Sequence, residues 1–239
     1  MQIFYAPDIE RLPELPPDEA RHALRVLRLN EGSEITIADG KGFFYKAVIL
    51  AADNRRCPVN VLERAAPSAQ RSFRLHLALA PAKNIDRTEW FCEKAVEIGI
   101  DAITFLNCRH SERREIKIPR IQKILVSAMK QSGRAALPAL EGMTNLNDFL
   151  RRPFASDKFI AHCEERAAKP LLQNACRRNT DTLILIGPEG DFSPDEIAAA
   201  QARAFAPVSL GPSRLRTETA ALVACHTLHI INTIPPNTK

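Results

Sequence analysis

Hydrophobic residues follow two different periods along the chain. Up to about residue 65 they come in short runs: Glu34-Ile35-Thr36-Ile37-Ala38 alternates as a half-buried strand does, and 43–49 and 59–62 read as two further strands. Asp39-Gly40 is a turn signal between the first two runs. Ahead of them, residues 22–28 read as a short helical piece, closed by Asn30-Glu31-Gly32 with a glycine past its end. Short strands joined by tight turns predict a small β-barrel. The stretch 66–70, polar and proline-containing, reads as a linker.

From Phe73 onward the period changes. Residues 75–80, apolar but for His76, read as a buried strand. A helix follows, starting near Asp86 with Glu89 as its capping-box partner; Phe91, Ala95 and Ile98 share one face and Gly99 ends it. Residues 102–106, 159–163 and 182–186 predict further strands, and Ile121, Ile124, Leu125, Ala128 and Met129 a helix packed on one side. Ser193-Pro194-Asp195-Glu196 opens a helix with both a capping box and a first-position proline. In the last helix Ala220, Val223, Ala224, Thr227, Leu228 and Ile231 make one stripe. Alternating strands and helices predict an α/β domain, a mostly parallel sheet covered on both faces.

Two segments carry the chemistry. Residues 183–193, centred on Ile186-Gly187-Pro188-Glu189-Gly190, and residues 210–220, Leu210-Gly211-Pro212-Ser213-Arg214-Leu215-Arg216-Thr217-Glu218-Thr219-Ala220, each read as a buried strand entering a Gly/Pro turn and then a helix. Two such turns at the carboxyl end of a sheet make a ligand crevice. Neither has the spacing of a phosphate loop or of G-x-G-x-x-G. A purely structural turn needs Gly211 and a cap, for which Thr217 is suited, but not Arg216 and Glu218 beside them. The bland alternative for Arg216 is a salt bridge tying the last helix to its loop. The residues alone reach an α/β protein with a small-ligand crevice.

Composition adds bounds. With 239 residues, 45% hydrophobic and 26% charged, the chain has room for one large domain or two modest ones. The net charge of +5 allows a polyanionic partner without requiring one. The six cysteines are scattered, with no C-x-x-C and no histidine at ligand spacing, so free thiols in a reducing cytoplasm and no metal are expected. The first residues lack a secretory pattern, and no apolar run reaches the ~18 residues of a spanning helix. A soluble, cytoplasmic protein with no membrane contact is expected. Arg21, Arg25 and Arg28 cluster near the start, and Lys83, Lys94, Arg113, Arg114, Lys130 and Arg134 add charge later. Singly each reads as a solvated side chain; together they fit phosphate contacts that position a nucleic acid.

The pair I-G-P-E-G and L-G-x-x-x-L-R-x-E-T-A resembles the ribosomal RNA small subunit methyltransferase E family of the SPOUT superfamily. His22, Val26, Leu27 and Arg28 resemble its N-terminal H-x-x-x-V-L-R motif, and residues 94–99 and 131–134 resemble two more of its motifs. The likeness covers nearly the whole chain. It implies a PUA-like β-barrel RNA-binding domain at residues 1–68 and a SPOUT-type α/β methyltransferase domain with a deep trefoil knot at 72–239. It further implies S-adenosyl-L-methionine as cofactor, a homodimer, and N3 methylation of one uridine in 16S rRNA of the 30S subunit. The cofactor cradle would be Ile186, Gly187, Pro188, Glu189, Gly190, Leu210, Gly211, Leu215, Arg216 and Thr217, with His162 and Glu164 on the adenosine side.

Arg216 is the candidate for stabilising charge on the uracil, Glu218 for orienting it or handling the proton, and Glu189 for accepting hydrogen bonds from loop amides. Arg21, Arg25, Arg28, Lys83, Lys94 and Arg134 are the candidate RNA contacts. Asp191 stands where many relatives have glycine and Ser213 where a larger or basic residue is common. A SPOUT enzyme acting on another RNA and a non-catalytic ribosome assembly factor remain the rival readings.

Overall fold

A computed structural model describes residues 2–51, 56–65, 71–164 and 168–233. The expected linker at 66–70 lies outside the described residues. The chain divides into two compact units, Met1–Gln70 with Leu125–Leu137, and Arg71–Ile124 with Pro138–Lys239. The return of Leu125–Leu137 to the first unit is a long-range event that local periodicity does not register.

In the first unit β1 (Ile3–Tyr5), β2 (Glu34–Ala38), β3 (Phe44–Ile49) and β4 (Val59–Ala65) pair in that order. β1 runs parallel to β2, and the other pairs are antiparallel. Phe4, Ile9, Ile37 and Ile49 fill its core. Asp39 holds the β2–β3 turn: one carboxylate oxygen accepts from the amides of Lys41 and Phe43, the other from the Tyr45 hydroxyl. The expected α-helix at 22–28 is instead α1 (Pro17–Arg21) running into a π turn over His22–Val26. The π turn ends at Arg28, with φ 56°, and Gly32 belongs to a separate turn closed by the Ser33 amide on the Asn30 carbonyl. Gly32 (φ 84°) lies in the approach to β2, its amide donating to Ile49.

The second unit is a wholly parallel sheet in the order β10-β8-β9-β5-β6-β7, formed by β5 (Leu75–Leu79), β6 (Ala102–Asn107), β7 (Ala139–Asn145), β8 (Asp157–Ala161), β9 (Thr182–Ile186) and β10 (Ala206–Val208). The connecting helices are α2 (Ile85–Ile98), α3 (Ile118–Gln131), α4 (Leu146–Leu150), α5 (Leu172–Ala175), α6 (Pro194–Ala202) and α7 (Thr217–Thr233). β9 is buried throughout, as its unbroken apolar run requires. α6 carries the expected capping box between Ser193 and Glu196. α2 is capped by Asn84, whose side chain accepts from the Asp86 amide, so Asp86 lies inside the helix and not at its cap; Gly99 (φ 110°) ends it. After β7 the chain crosses to the other side of the sheet, so that the carboxyl ends of β9, β8 and β10 become neighbours.

α7 corrects one expectation. Its buried residues are Thr217, Glu218, Ala221, Ala224, Cys225, Leu228 and Asn232. Ala220, Val223, Thr227 and Ile231 stay half-exposed. The helix packs against α2, β5 and β9, and its buried face includes polar groups that a hydrophobic stripe cannot reveal. Asn232, for instance, accepts from the Asn179 amide and donates to the Leu228 carbonyl.

A polar chain crosses the β5–β6–β7 side of the sheet. Thr104 donates to Glu141, so its hydroxyl oxygen accepts from Nε2–H of His76 at 2.9 Å; Arg152 closes the chain on Glu141. Burial, opposed by Glu141 and assisted by Arg152, pushes the His76 imidazole down to about 4. The unfolded chain takes up this proton near pH 6.5 and the folded chain only near 4, so the contribution is complete above 6.5 and is lost as pH falls through that window. Between pH 7.5 and 5 this histidine is expected to remove about 2 kcal/mol of stability. Urea unfolding at the two pH values checks it, and His76→Gln should flatten the difference.

Candidate active site

Three loops leave the carboxyl ends of β8, β9 and β10 and enclose a cavity of about 920 Å³, within the range of small-molecule sites. Ile186, Gly187, Pro188 and Glu189 form one wall, Leu210, Gly211, Leu215, Arg216 and Thr217 a second, and His162 belongs to the third. The structure therefore brings together most of the expected cradle. The Thr217 hydroxyl donates to the Gly187 carbonyl at 3.1 Å and ties the second wall to the first. This replaces the N-cap role expected of Thr217: α7 starts at Thr217, and the Arg216 carbonyl takes the Ala220 amide. Gly187 is tightly packed, since a Cβ there would sit 3.1 Å from the Phe192 ring and the ring would have to give by a few tenths of an ångström. Glu189 accepts from the Lys83 amide at 2.9 Å, a scaffolding contact of the kind expected.

Two candidates lie elsewhere. Gly190 does not line the cavity; its turn packs against His110, whose Nδ1 lies 3.1 Å from both the Gly190 and Asp191 carbonyls. Two carbonyls can only accept, so Nδ1 carries the proton. Glu218 also points away from the cavity: it is buried and faces Arg87 of α2 at 3.7 Å. It therefore does not orient Arg216 directly. Positions two apart at the start of a helix diverge by roughly 200°, and Arg216 lines the cavity mouth while Glu218 turns to α2.

The loop after β8 adds Lys169, which the pattern did not single out, and bonds to Asp191 of the β9 loop. Lys169 donates to the carbonyls of His162 and Glu164 at 2.6 and 2.7 Å and lies beside the His162 ring. Burial, then the Lys169 charge, lowers the His162 pKa, and the ring is neutral at physiological pH. Its Nε2 is buried with no partner among the described residues. Asp191 adopts φ 60°, the left-handed conformation a glycine would take readily. Its carboxylate compensates by accepting from the Cys163 and Phe192 amides, which joins the β8 loop to the β9 loop. No periodic signal marks these residues, because loops carry none.

The candidate RNA contacts fall in both units. Arg21, Arg25 and Arg28 are exposed around the π turn of the first unit, which also holds Arg134. In the second unit Lys83 pairs with Glu112 at 2.7 Å, and Lys94 with both Glu93 and Glu97. Lys94 is thus locally neutralised, which weakens it as a phosphate contact. Arg113 is spent on the Ala82 and Lys83 carbonyls. All six cysteines are free. Among the described residues no helix is long and apolar enough to cross a membrane, and no group of three His, Cys, Asp or Glu is placed to hold a metal ion.

Parallel sheet, three-loop cleft and separate β unit define an α/β ligand-binding protein with an appended small β module. Residues 69–229 match the family described as RNA methyltransferase domain, and residues 15–62 the RNA methyltransferase PUA domain. The chain belongs to this RNA methyltransferase family. A probable rRNA-methyltransferase from Porphyromonas gingivalis is 44% identical, with TM-score 0.91 over 97% of this chain and 98% of that one. The ribosomal RNA small subunit methyltransferase E of Neisseria gonorrhoeae, solved with S-adenosyl methionine, is 29% identical, with TM-score 0.84 over 97% and 98%. Its namesake from Mycobacterium bovis is 28% identical over 93% of this chain and 88% of its own length.

Proposed function

We propose that the protein transfers a methyl group from S-adenosyl-L-methionine to N3 of one uridine in 16S rRNA. The observation that carries the reading is the three-loop cavity, in a chain whose relatives bear that family's name over nearly their full length. Its size suits the cofactor, and the neutral His162 ring offers an unpaired buried Nε2 for a polar ligand atom. Ile186–Glu189 and Leu210–Thr217 would hold the cofactor, with the Thr217–Gly187 bond keeping the walls together. That bond also suits a trefoil knot, in which the two loops press on one another. When bound, the cofactor supplies an electrophilic methyl carbon.

The protein's share is alignment and charge. Uridine N3 attacks only as its proton leaves, and negative charge spreads to the flanking carbonyl oxygens. Arg216, at the cavity mouth, offers a guanidinium that stays charged and donates in a fixed fork. Glu218 serves at one remove, anchoring the start of α7 on Arg87 and so placing Arg216. Residues 1–68 grip the RNA and 72–239 carry the chemistry, in the cytoplasm where rRNA matures. A homodimer is part of the reading: Val223, Thr227 and Ile231 of α7 are half-exposed and Trp90 of α2 is 45% exposed.

The test is to incubate the protein and labelled S-adenosylmethionine with 30S subunits and with naked 16S rRNA from an unmodified source, then map the product by mass spectrometry. N3-methyluridine at one site is expected. No transfer with cofactor binding intact would redirect the reading to another RNA, and no cofactor binding to an assembly factor.

A further inference from the structure

The π turn in the first unit exposes what an α-helix would bury. Ala20 and Ala23 are in the core and Leu24 packs against it. Continued with α-helical spacing, this face would return Leu27 to the core. The π turn slips the register instead: the Leu27 amide reaches back five residues to His22, and the Leu29 amide six to Ala23. Val26 is left 64% exposed and Leu27 37% exposed, adjacent in the chain and flanked by the exposed Arg25 and Arg28. Arg28 takes φ 56°, where glycine is the ordinary residue and any other costs about 1 kcal/mol. Such strain is retained where a side chain has work to do.

We propose that Val26 and Leu27 form an apolar wedge that lies on the face of an unstacked base in the RNA substrate, with Arg28 fixed beside it on the phosphate backbone. The inference rests on the reading of rRNA as substrate. A hydrophobic pair enclosed by arginines suits a polyanion that also offers flat apolar faces, and RNA presents these wherever bases are unpaired. The wedge supplies affinity that salt does not screen, and Arg28 supplies the part it does.

Filter binding of the full-length protein to unmodified 16S rRNA across a KCl series separates the two. Val26→Ser with Leu27→Ser should weaken binding roughly 10-fold at every salt concentration, leaving the slope of log affinity against log [KCl] unchanged. Arg28→Gly should weaken binding, reduce that slope by about one, and leave the thermal midpoint unchanged or raised. Both variants should bind S-adenosylmethionine as the parent does. Parental RNA affinity in the double serine variant overturns the wedge, as does a change in its oligomeric mass, which would make the patch a protein interface. A parent protein that binds cofactor but no 16S rRNA overturns the substrate reading itself, and the wedge with it.

Discussion

Arg216→Ala is expected to reduce methyl transfer by on the order of 1000-fold, far more than the loss of S-adenosylmethionine binding that follows from its place in the cofactor wall, while the thermal midpoint changes little. The side chain is exposed at the cavity mouth, so its loss leaves neither a void nor a buried orphan. It is also free of Glu218, which is held by Arg87, so truncation strands no buried carboxylate. What disappears is a permanently charged donor beside the uracil oxygens, an interaction strongest when the ring carries negative charge; the loss should therefore fall on kcat and not on KM. Arg216→Lys keeps the charge without the fork and should land between the two. Single-turnover methylation of 16S rRNA with saturating cofactor measures the step directly. Equal turnover by parent and alanine variant would reduce Arg216 to a surface charge.

How far the sequence led depends on what kind of information each feature carries. β9 and the start of α6 were legible, because an unbroken apolar run and a Ser-Pro-x-Glu cap are local statements. β1 and β10, three residues each, are too short to show a period, and β7 is a half-buried strand with no alternation. The cavity's two main walls were readable from Gly187, Gly211 and their charged neighbours, since those residue types are expensive without a purpose. The third wall was legible only in part, at His162 and Glu164. Lys169 reaches back within its own irregular loop to the carbonyls of those two residues, which no period marks, and nothing local announces a partner 28 residues away, as Cys163 is for Asp191. Glu218 shows the complementary error. The sequence puts it beside Arg216, but helix geometry sends the two side chains to different neighbours.

Gly190→Ala should raise the dissociation constant for S-adenosylmethionine about 5- to 150-fold, the range that 1–3 kcal/mol of overpacking covers. Gly190 is not a cavity residue, and the effect is transmitted through the turn it belongs to. A Cβ at this position would lie 2.9 Å from the Cβ of His110, and two such atoms, both fixed to backbone, cannot rotate apart. Either the Pro188–Asp191 turn or the loop bearing His110 must move, breaking the bonds from His110 Nδ1 to the Gly190 and Asp191 carbonyls. Pro188, Glu189 and Asp191 belong to the cavity wall, and Asp191 also holds the β8 loop through Cys163, so both walls shift together. The variant that distinguishes this from general damage is Gly190→Ala combined with His110→Gly, which removes the atom struck. Calorimetric titration should show the double variant binding more tightly than Gly190→Ala alone, although it has lost one more side chain. If the second change instead weakens binding further, the collision is not the cause, and the glycine is needed for a reason other than the room it leaves His110.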